Sequence, residues 1–510
     1  MDRLRYKPLL GRVVAPEEAA ALIEDNMTIG MSGFTRAGDA KAVPLAVARR
    51  AREHAIHISL MTGASLGHGI DGALAEAGVT VRRLPFQSDK HLREAINSGK
   101  VMFIDQHLSE TVEMLRAHEL GHIDIAIVEA AAITEDGGIV PTSSVGNSAS
   151  FAILADKVIV ELNLAQSRDW EGMHDIYIPT RRPYREPIPI LRPQDRIGMP
   201  YIPIDPQKIA AVVITEEMDS PATLRPPDPE TRAIAGHLLE FFGHEVRHGR
   251  LGPRLMPLQA GIGTVANAVL EGLVGSGYHH LSMYTEVIQD SAFDLIDAGQ
   301  LDVVSCSSVT LSDVMQRRVF DSIGHYREKV LLRPQEISNH PEVIRRLGVI
   351  AINTALEADI YGNVNSTHTN GSNMMNGIGG SEDFARNGHL AVFVSTSLTK
   401  GDSISKIVPM VTHVDHTEHD VDVLVTDQGL ADLRGLAPRE RAGLVIEHCA
   451  HPIYRDLLRD YFREACRRGG HTPHLLEEAF RWHLRQMQTG SMLPKPHGAD
   501  ALGAPGERSD

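Results

Sequence analysis

Two open α/β domains with mainly parallel sheets are the fold this sequence predicts. Three observations carry the prediction. The first is a series of short, continuous Val/Ile/Leu runs of the kind buried on both faces. The second is that these runs alternate with amphipathic helical stretches through both halves of the chain. The third is length, since 510 residues exceed what one hydrophobic core organises.

In the first half the runs are IHISLMTG (56–63), KVMFID (100–105), IDIAIVEAA (123–131) and DKVIVELN (156–163). Residues 165–205 lose this periodicity and fill with Arg and Pro, so they read as an irregular connection over the surface of the first domain. IAAVVIT (209–215) supplies a last strand, and the first domain is expected to span 1–219. SPATLRPPDPE (220–230) is the linker, because its prolines forbid a helix there. The second domain, 231–487, repeats the alternation. Strands are expected at 258–260, 280–285, 301–305, 391–398 and 421–427, and helices at 264–274 and 290–298. Residues 488–510 lack apolar content and read as a disordered tail.

The most informative stretch is LQAGIGTVANAVLEGLVGSGYHHLSMYTEVIQD (258–290). Leu258 to Ala260 close a strand, and Gly261 and Gly263 form a tight turn. Ala266, Ala268, Val269, Leu270 and Leu273 follow at helical spacing. The next strand delivers Glu286 to its carboxyl end, where open α/β sheets bind ligands. Two readings fit this window. Gly261-x-Gly263-x-x-Ala266 with an acid about 20 residues on is formally the dinucleotide fingerprint, which would make the protein a nicotinamide-dependent oxidoreductase. The other reading makes Glu286 a nucleophile beside an oxyanion- and CoA-binding turn.

Composition narrows the classes. Fifty basic against 66 acidic residues give a net charge of −16, which disfavours nucleic acid. Three scattered cysteines without a CxxC exclude a disulfide framework. The N-terminal residues have no apolar h-region, and no window of 18 apolar residues occurs. A soluble cytoplasmic enzyme is expected. His413, His416 and His419 look like a metal cluster, but their spacing matches neither HExxH nor a Cys/His zinc site, so no metal is expected.

Seven ordered motifs decide between the readings of the glycine turn. They are SGFTRAGDAKAVP (32–44), GGIVPTSSVGNS (137–148), GIGTVANAV (261–269), MYTEVIQD (283–290), the segment from RPQEISNHPE to YGNVNST (333–367), GIGGSEDFARNG (377–388) and HVDHTEHDVDVLVTDQGLADLRG (413–435). Together, from about Arg12 to about Arg468, they resemble the acetyl-CoA hydrolase/transferase branch of the class I CoA-transferases, nearest its succinyl-CoA:acetate CoA-transferases and acetyl-CoA hydrolases. The resemblance implies two CoA-transferase-like domains of the NagB/RpiA type with the active site between them.

It also implies site residues. Glu286 is the expected nucleophile, and Asn339 and Gly380 the oxyanion donors, although Asn339 equally suits the N-cap of the helix PEVIRRLG. Gly261, Ile262, Gly263, Thr264, Val265, Gly380 and Lys400 are expected to contact CoA, with Arg386 a weaker candidate. Ser32 to Thr35 and Gly63 to Ser65 are expected to serve the carboxylate substrate. Glu129 and Asn147 suit buried hydrogen bonding at least as well as binding. The implied activity is CoA transfer from a short-chain acyl-CoA, foremost succinyl-CoA, to acetate. Acetyl-CoA hydrolysis and propionyl-CoA:succinate transfer are the alternatives. CoA enters as substrate, no cofactor is bound permanently, and a homodimer is expected.

Overall fold

The computed structural model of the protein describes residues 2–399, 401 and 403–494. Two large sheets organise it. The first holds seven parallel strands: β1 (Thr28–Met31), β2 (Ile58–Met61), β3 (Thr80–Leu84), β4 (Met102–Phe103), β5 (Ile125–Ala130), β6 (Lys157–Asn163) and β7 (Ile209–Thr215), in the order β4-β3-β2-β1-β5-β6-β7. The second holds β8 (Leu258–Ala260), β9 (Leu281–Tyr284), β10 (Leu301–Cys306), β11 (Val330–Leu332), β12 (Ile350–Thr354), β13 (Leu390–Val394), β14 (Val423–Thr426) and β15 (Gly429–Asp432), in the order β11-β10-β9-β8-β12-β13-β14-β15. Only the β14–β15 pair is antiparallel. Strand for strand, the first seven positions of the two sheets follow one plan, a likeness of topology that no residue-level repeat announces.

The central strands are buried on both faces. β5 is buried along all six residues, and β6 along six of its seven. That double burial is why these strands appear in the sequence as continuous apolar runs. In each sheet the crossovers part at the first strand, between β1 and β5 and between β8 and β12. This is the switch point at which such sheets leave a crevice for ligand.

Residues 164–208 carry little regular structure, as expected, but they do not simply cover the first half. Ile188 and Ile190 pack with Tyr284, Ile337, Val343, Ile344 and Phe384 of the second half. The Arg333 guanidinium, just past β11, is fully buried against Asp175 of this segment and also donates to Pro193 O and Asp195 O. The segment is a strap across the halves, held by a few apolar and charged anchors that periodicity cannot reveal. The helix Pro229–Arg247 begins where the proline-rich run predicts, with the Asp228 side chain accepting from Thr231 N–H at 2.9 Å.

The expected tail begins too early. The last helix runs to Thr489, and Met492 beyond it is buried, with its N–H donated to Ser403 O at 2.8 Å. Residues 495–510 lie outside the described residues. Among the described residues no helix is long and apolar enough to cross a membrane.

Candidate active site

Both sheets present the carboxyl ends of their strands to one cleft, lined by residues of both halves. From the first half come Phe34 and Thr35 after β1, Ala64 after β2, Phe86 after β3 and Leu108 after β4. Phe34, Ala64, Phe86, Leu108 and Val287 form a small apolar cluster of their own. The second half contributes Gly261 and Ile262 after β8, Glu286 after β9, Asn353 and Thr354 at the end of β12, Ser366, and the loop Asn376–Ser381. The first-half lining is mostly apolar, and most of the polar side chains, Glu286, Asn353, Thr354, Ser366, Asn376 and Ser381, come from the second half.

Glu286 sits between β9 and a two-residue strand, Val287–Ile288, that pairs in parallel with Ser308–Val309. Its carbonyl accepts from Ser307 N–H at 2.8 Å and Ser308 N–H at 3.0 Å, so the backbone is pinned to the segment it pairs with. Its carboxylate Oε2 accepts from Asn339 Nδ2 at 2.8 Å. Burial pushes the Glu286 carboxyl up to about 7, against the opposing effect of that amide. Such a group is ionised often enough to attack near neutral pH and desolvated enough to be reactive.

Asn339 closes the short helix Gln335–Ser338 and is wholly buried. It does not cap the following helix: His340 occupies that N-cap, and no side chain bonds there. The amide is instead aimed at Glu286, with Asp383 Oδ2 3.4 Å from the same Nδ2 and Ser338 Oγ donating to Oδ1 at 3.0 Å. Asp383 in turn accepts from Ser109 N–H at 3.1 Å and Ser109 Oγ at 2.6 Å, so a first-half loop is tied to the amide. Burial, with the Glu286 charge as a smaller contribution, raises the Asp383 carboxyl to about 8.

Gly380 packs directly on this pair. A Cβ there would collide with Glu286 Oε2 and Asn339 Nδ2 and lie 2.8 Å from Glu286 Cδ. Only glycine lets the loop approach so closely. Glu286, Asn339 and Gly380, 94 residues apart in sequence, therefore meet at one point.

The expected CoA-binding turn divides. Gly261 and Ile262 line the cleft, whereas Gly263, Thr264 and Val265 are not on its wall. Gly263 has φ +105°, as its turn demands, but its N–H is donated to Gln289 Oε1 at 3.0 Å and is not turned to a phosphate. Val265 packs against the main core. Lys400 lies outside the described residues. Arg386 is exposed at the end of the helix Ser381–Asn387, away from the cleft wall.

Of the first-half candidates, Phe34, Thr35 and Ala64 reach the cleft. Ser32 Oγ accepts from Glu129 N–H at 2.9 Å, and Gly63 packs 2.8 Å from Gly33 O at the position a Cβ would take. Ser65 is buried, with its carbonyl accepting from Arg36 N–H. Glu129 is buried against the Lys41 ammonium, and Asn147 donates to Thr62 O at 3.2 Å. Burial alone would lower Lys41, but Glu129, Asp219 and Asp39 hold it well above the usual range, making a closed charge cluster under β5. Both Glu129 and Asn147 thus have structural partners.

The three histidines of the 413–420 stretch scatter. His413 stacks on His368 with centroids 3.8 Å apart and lies beside Asp415. His416 is buried and bonded to Glu382. His368, His413 and Asp415 do form a group of metal-ligand type. Asp415 is already committed, however, accepting from Ser366 N–H at 2.6 Å and from Thr367 N–H and Oγ at 2.8 to 3.0 Å. Sequence reasoning named neither Asp383 nor Ser381, Glu382 and His416 as site residues. All but His416 stand within GIGGSEDFARNG, where only the glycines and Arg386 drew notice.

Comparison with known proteins settles the class. The acetyl-CoA hydrolase/transferase N-terminal domain matches residues 1–214, and the C-terminal domain of the same name matches residues 316–462. The chain belongs to the acetyl-CoA hydrolase/transferase family. It is 51% identical over 493 residues to the succinyl-CoA:acetate CoA-transferase of Clostridium kluyveri, covering 96% of this chain and 92% of that one. It is 46% identical over 511 residues to the acetyl-CoA hydrolase of Candida glabrata, covering 96% and 97%. Among solved structures, RipA from Yersinia pestis superposes with a TM-score of 0.69 at 22% identity over 89% of this chain and 98% of that one, a likeness of fold. The protein is therefore an enzyme of the CoA-transferase and acyl-CoA hydrolase class.

Proposed function

We propose that the enzyme transfers CoA reversibly from a short-chain acyl-CoA, foremost succinyl-CoA, to acetate, through a thioester on Glu286. The observation that carries this reading is the Glu286 carboxylate, raised to about 7 by burial and held at 2.8 Å by Asn339 against Gly380 in the shared cleft.

The carboxylate attacks the acyl-CoA carbonyl carbon, and the C–S bond breaks to leave a mixed anhydride and CoA thiolate. The thiolate then attacks the glutamyl carbonyl, the acyl group departs as its carboxylate, and CoA remains on Glu286 as a thioester. Acetate attacks that thioester, and the two steps run in reverse to give acetyl-CoA. Every attacking and leaving group is an anion, so no proton need move and no resident cofactor is required. Each tetrahedral intermediate places an oxyanion beside Glu286, where Asn339 Nδ2 and the Gly380 backbone are the preorganised donors. The apolar floor of Phe34, Ala64, Phe86 and Leu108 receives the acyl chain.

The test is covalent. Incubating the enzyme with acyl-CoA and no acceptor is expected to leave the mass of CoA on the peptide containing MYTEVIQD, and borohydride to inactivate the enzyme irreversibly. Steady-state kinetics are expected to be ping-pong, and Glu286→Ala to lack both label and transfer. A label on another residue, or transfer by Glu286→Ala near the wild-type rate, sinks the proposal.

A further inference from the structure

His416 is fully buried, with its ring 4.6 Å from that of Phe393, and its two nitrogens have different partners. Nδ1 lies 2.5 Å from Glu382 Oε2. Nε2 lies 3.2 Å from both Ser366 Oγ and Ser381 Oγ. Those two serines line the same cleft as Glu286, and Ser381 directly follows Gly380, the residue packed on the Glu286 carboxylate. An ionised Glu382 can only accept, so Nδ1 carries the proton and the Nε2 lone pair of a neutral ring faces the hydroxyls. Carboxylate, imidazole and hydroxyl in this order are what activates a hydroxylic nucleophile.

Transfer between carboxylates leaves this arrangement without work, because the acceptor arrives already ionised. Water does not, and it needs a base. We infer that Glu382 and His416, acting through the Ser366 and Ser381 hydroxyls, form a general-base relay for water that gives the site a second, hydrolytic activity on the thioester at Glu286. The inference rests on the glutamyl-thioester reading above.

In the step, the water oxygen bonds to the glutamyl carbonyl carbon. One water proton passes to a serine oxygen as that serine's own proton passes to His416 Nε2. The tetrahedral intermediate then collapses with cleavage of the C–S bond. The imidazolium returns its proton through the hydroxyl to the CoA thiolate, leaving free Glu286 and CoA thiol. Each hydroxyl has a resting acceptor, Ile378 O at 2.8 Å for Ser381 and Asp415 Oδ2 at 3.3 Å for Ser366. Rotation from that acceptor to Nε2 completes the path. Glu382 and His416 touch no reacting atom and are positioning residues. The serines are the groups at the cleft wall.

The test compares two rates in the full-length protein, CoA release from acetyl-CoA alone and CoA transfer from acetyl-CoA to succinate. A general base contributes on the order of 10²–10⁴ in rate. In Ser366→Ala/Ser381→Ala and in His416→Gln, the ratio of hydrolysis to transfer is expected to fall by about 10², and the CoA adduct on Glu286 to persist longer without acceptor. A merely structural role would lower both rates together and leave the ratio and the adduct lifetime alone. If His416→Gln fails to fold, the double serine variant carries the test, since it removes only two small, partly exposed hydroxyls. A ratio unchanged while the adduct still forms, or wild-type hydrolysis no faster than in buffer, overturns the relay. Absence of the adduct in the wild type and in the double serine variant alike instead overturns the thioester reading beneath it.

Discussion

Gly380 shows how narrowly the reacting groups are placed. The atoms a Cβ would strike are the far ends of two side chains, Glu286 Oε2 and Asn339 Nδ2, not backbone. Gly380→Ala is therefore expected to fold normally, with a melting temperature close to wild type, while pushing the carboxylate out of line. A misplacement of about 1 Å costs on the order of 10² in rate, so kcat should fall by about that factor. Wild-type kcat and full CoA labelling in this variant would show that the close approach has no bearing on the reaction. Glu286 itself links activity to stability. Its folded pKa of about 7 lies above the ordinary glutamate value of about 4.3. Below the unfolded value both states are protonated and the group costs nothing. As pH rises through 7 the folded state must ionise a buried carboxyl, and stability is lost. Glu286→Gln is expected to match wild type at pH 4 and to exceed its stability at pH 8 by about 1–3 kcal/mol. The attack rate of the wild type should climb over the same pH range, because only the ionised form is nucleophilic. Denaturation midpoints at the two pH values check the first expectation, and pre-steady-state labelling the second. Asp383, with its own carboxyl near 8, makes the step a property of the pair.

At the scale of elements, the corner between the helices Gln335–Ser338 and Pro341–Leu347 is where the proposed mechanism puts an oxyanion donor. Two roles for Asn339 are compatible with SNHPE as a string, a helix cap or a donor to the site. The fold leaves the cap position to His340 and turns the amide to Glu286. Asn339→Ala is thus expected to lower kcat by roughly 10²–10³, the effect of one lost oxyanion donor. Its unfolding midpoint should move much less than the roughly 1 kcal/mol a lost cap would cost. A variant that loses stability and keeps kcat would reverse the assignment. The same corner shows what was legible beforehand. Strands such as Ile125–Ala130 and Lys157–Asn163, buried on both faces, spell themselves out as apolar runs, and the Gly261–Gly263 turn marks where β8 ends. Glu286 and its partners followed from family resemblance and from position at a strand end. Asp383, Phe86 and Leu108 were out of reach because their roles are set by contacts across hundreds of residues. The His413–His419 segment is irregular, and its His413 and His416 rings turn to separate neighbours, His368 and Glu382. Ile188 and Ile190 were missed because the apolar anchors of the strap follow no helical or strand period.

At the scale of the whole molecule, two sheets of one topology face each other, and neither contains a site alone. Phe34, Ala64, Phe86 and Leu108 form a floor without a nucleophile, and Glu286 stands in the other half without a floor. The distance between halves must then be fixed as firmly as any catalytic side chain. Backbone pairing does part of this, with Val145 N–H donating to Ser307 O at 2.9 Å and Val309 N–H to Ser143 O at 3.0 Å. The strap does the rest, and its most committed contact is the fully buried Arg333–Asp175 pair, with Arg333 Nε also donating to Ser305 Oγ at 2.8 Å. Breaking a buried pair by removing one partner strands the other charge and costs about 3–5 kcal/mol, whereas replacing both by apolar groups of similar volume is often neutral. Arg333→Met is accordingly expected to lower the unfolding free energy by about 3–5 kcal/mol, and Arg333→Met/Asp175→Leu to recover most of it. The two variants should differ in function as well. Strap and halves are joined through this pair next to β10 and β11, so the single variant should lose transfer activity at temperatures where the double variant keeps it. Urea unfolding of both variants, followed alongside transfer activity, decides the matter. A single variant as stable as wild type would mean that the halves are held in register by the backbone pairing alone.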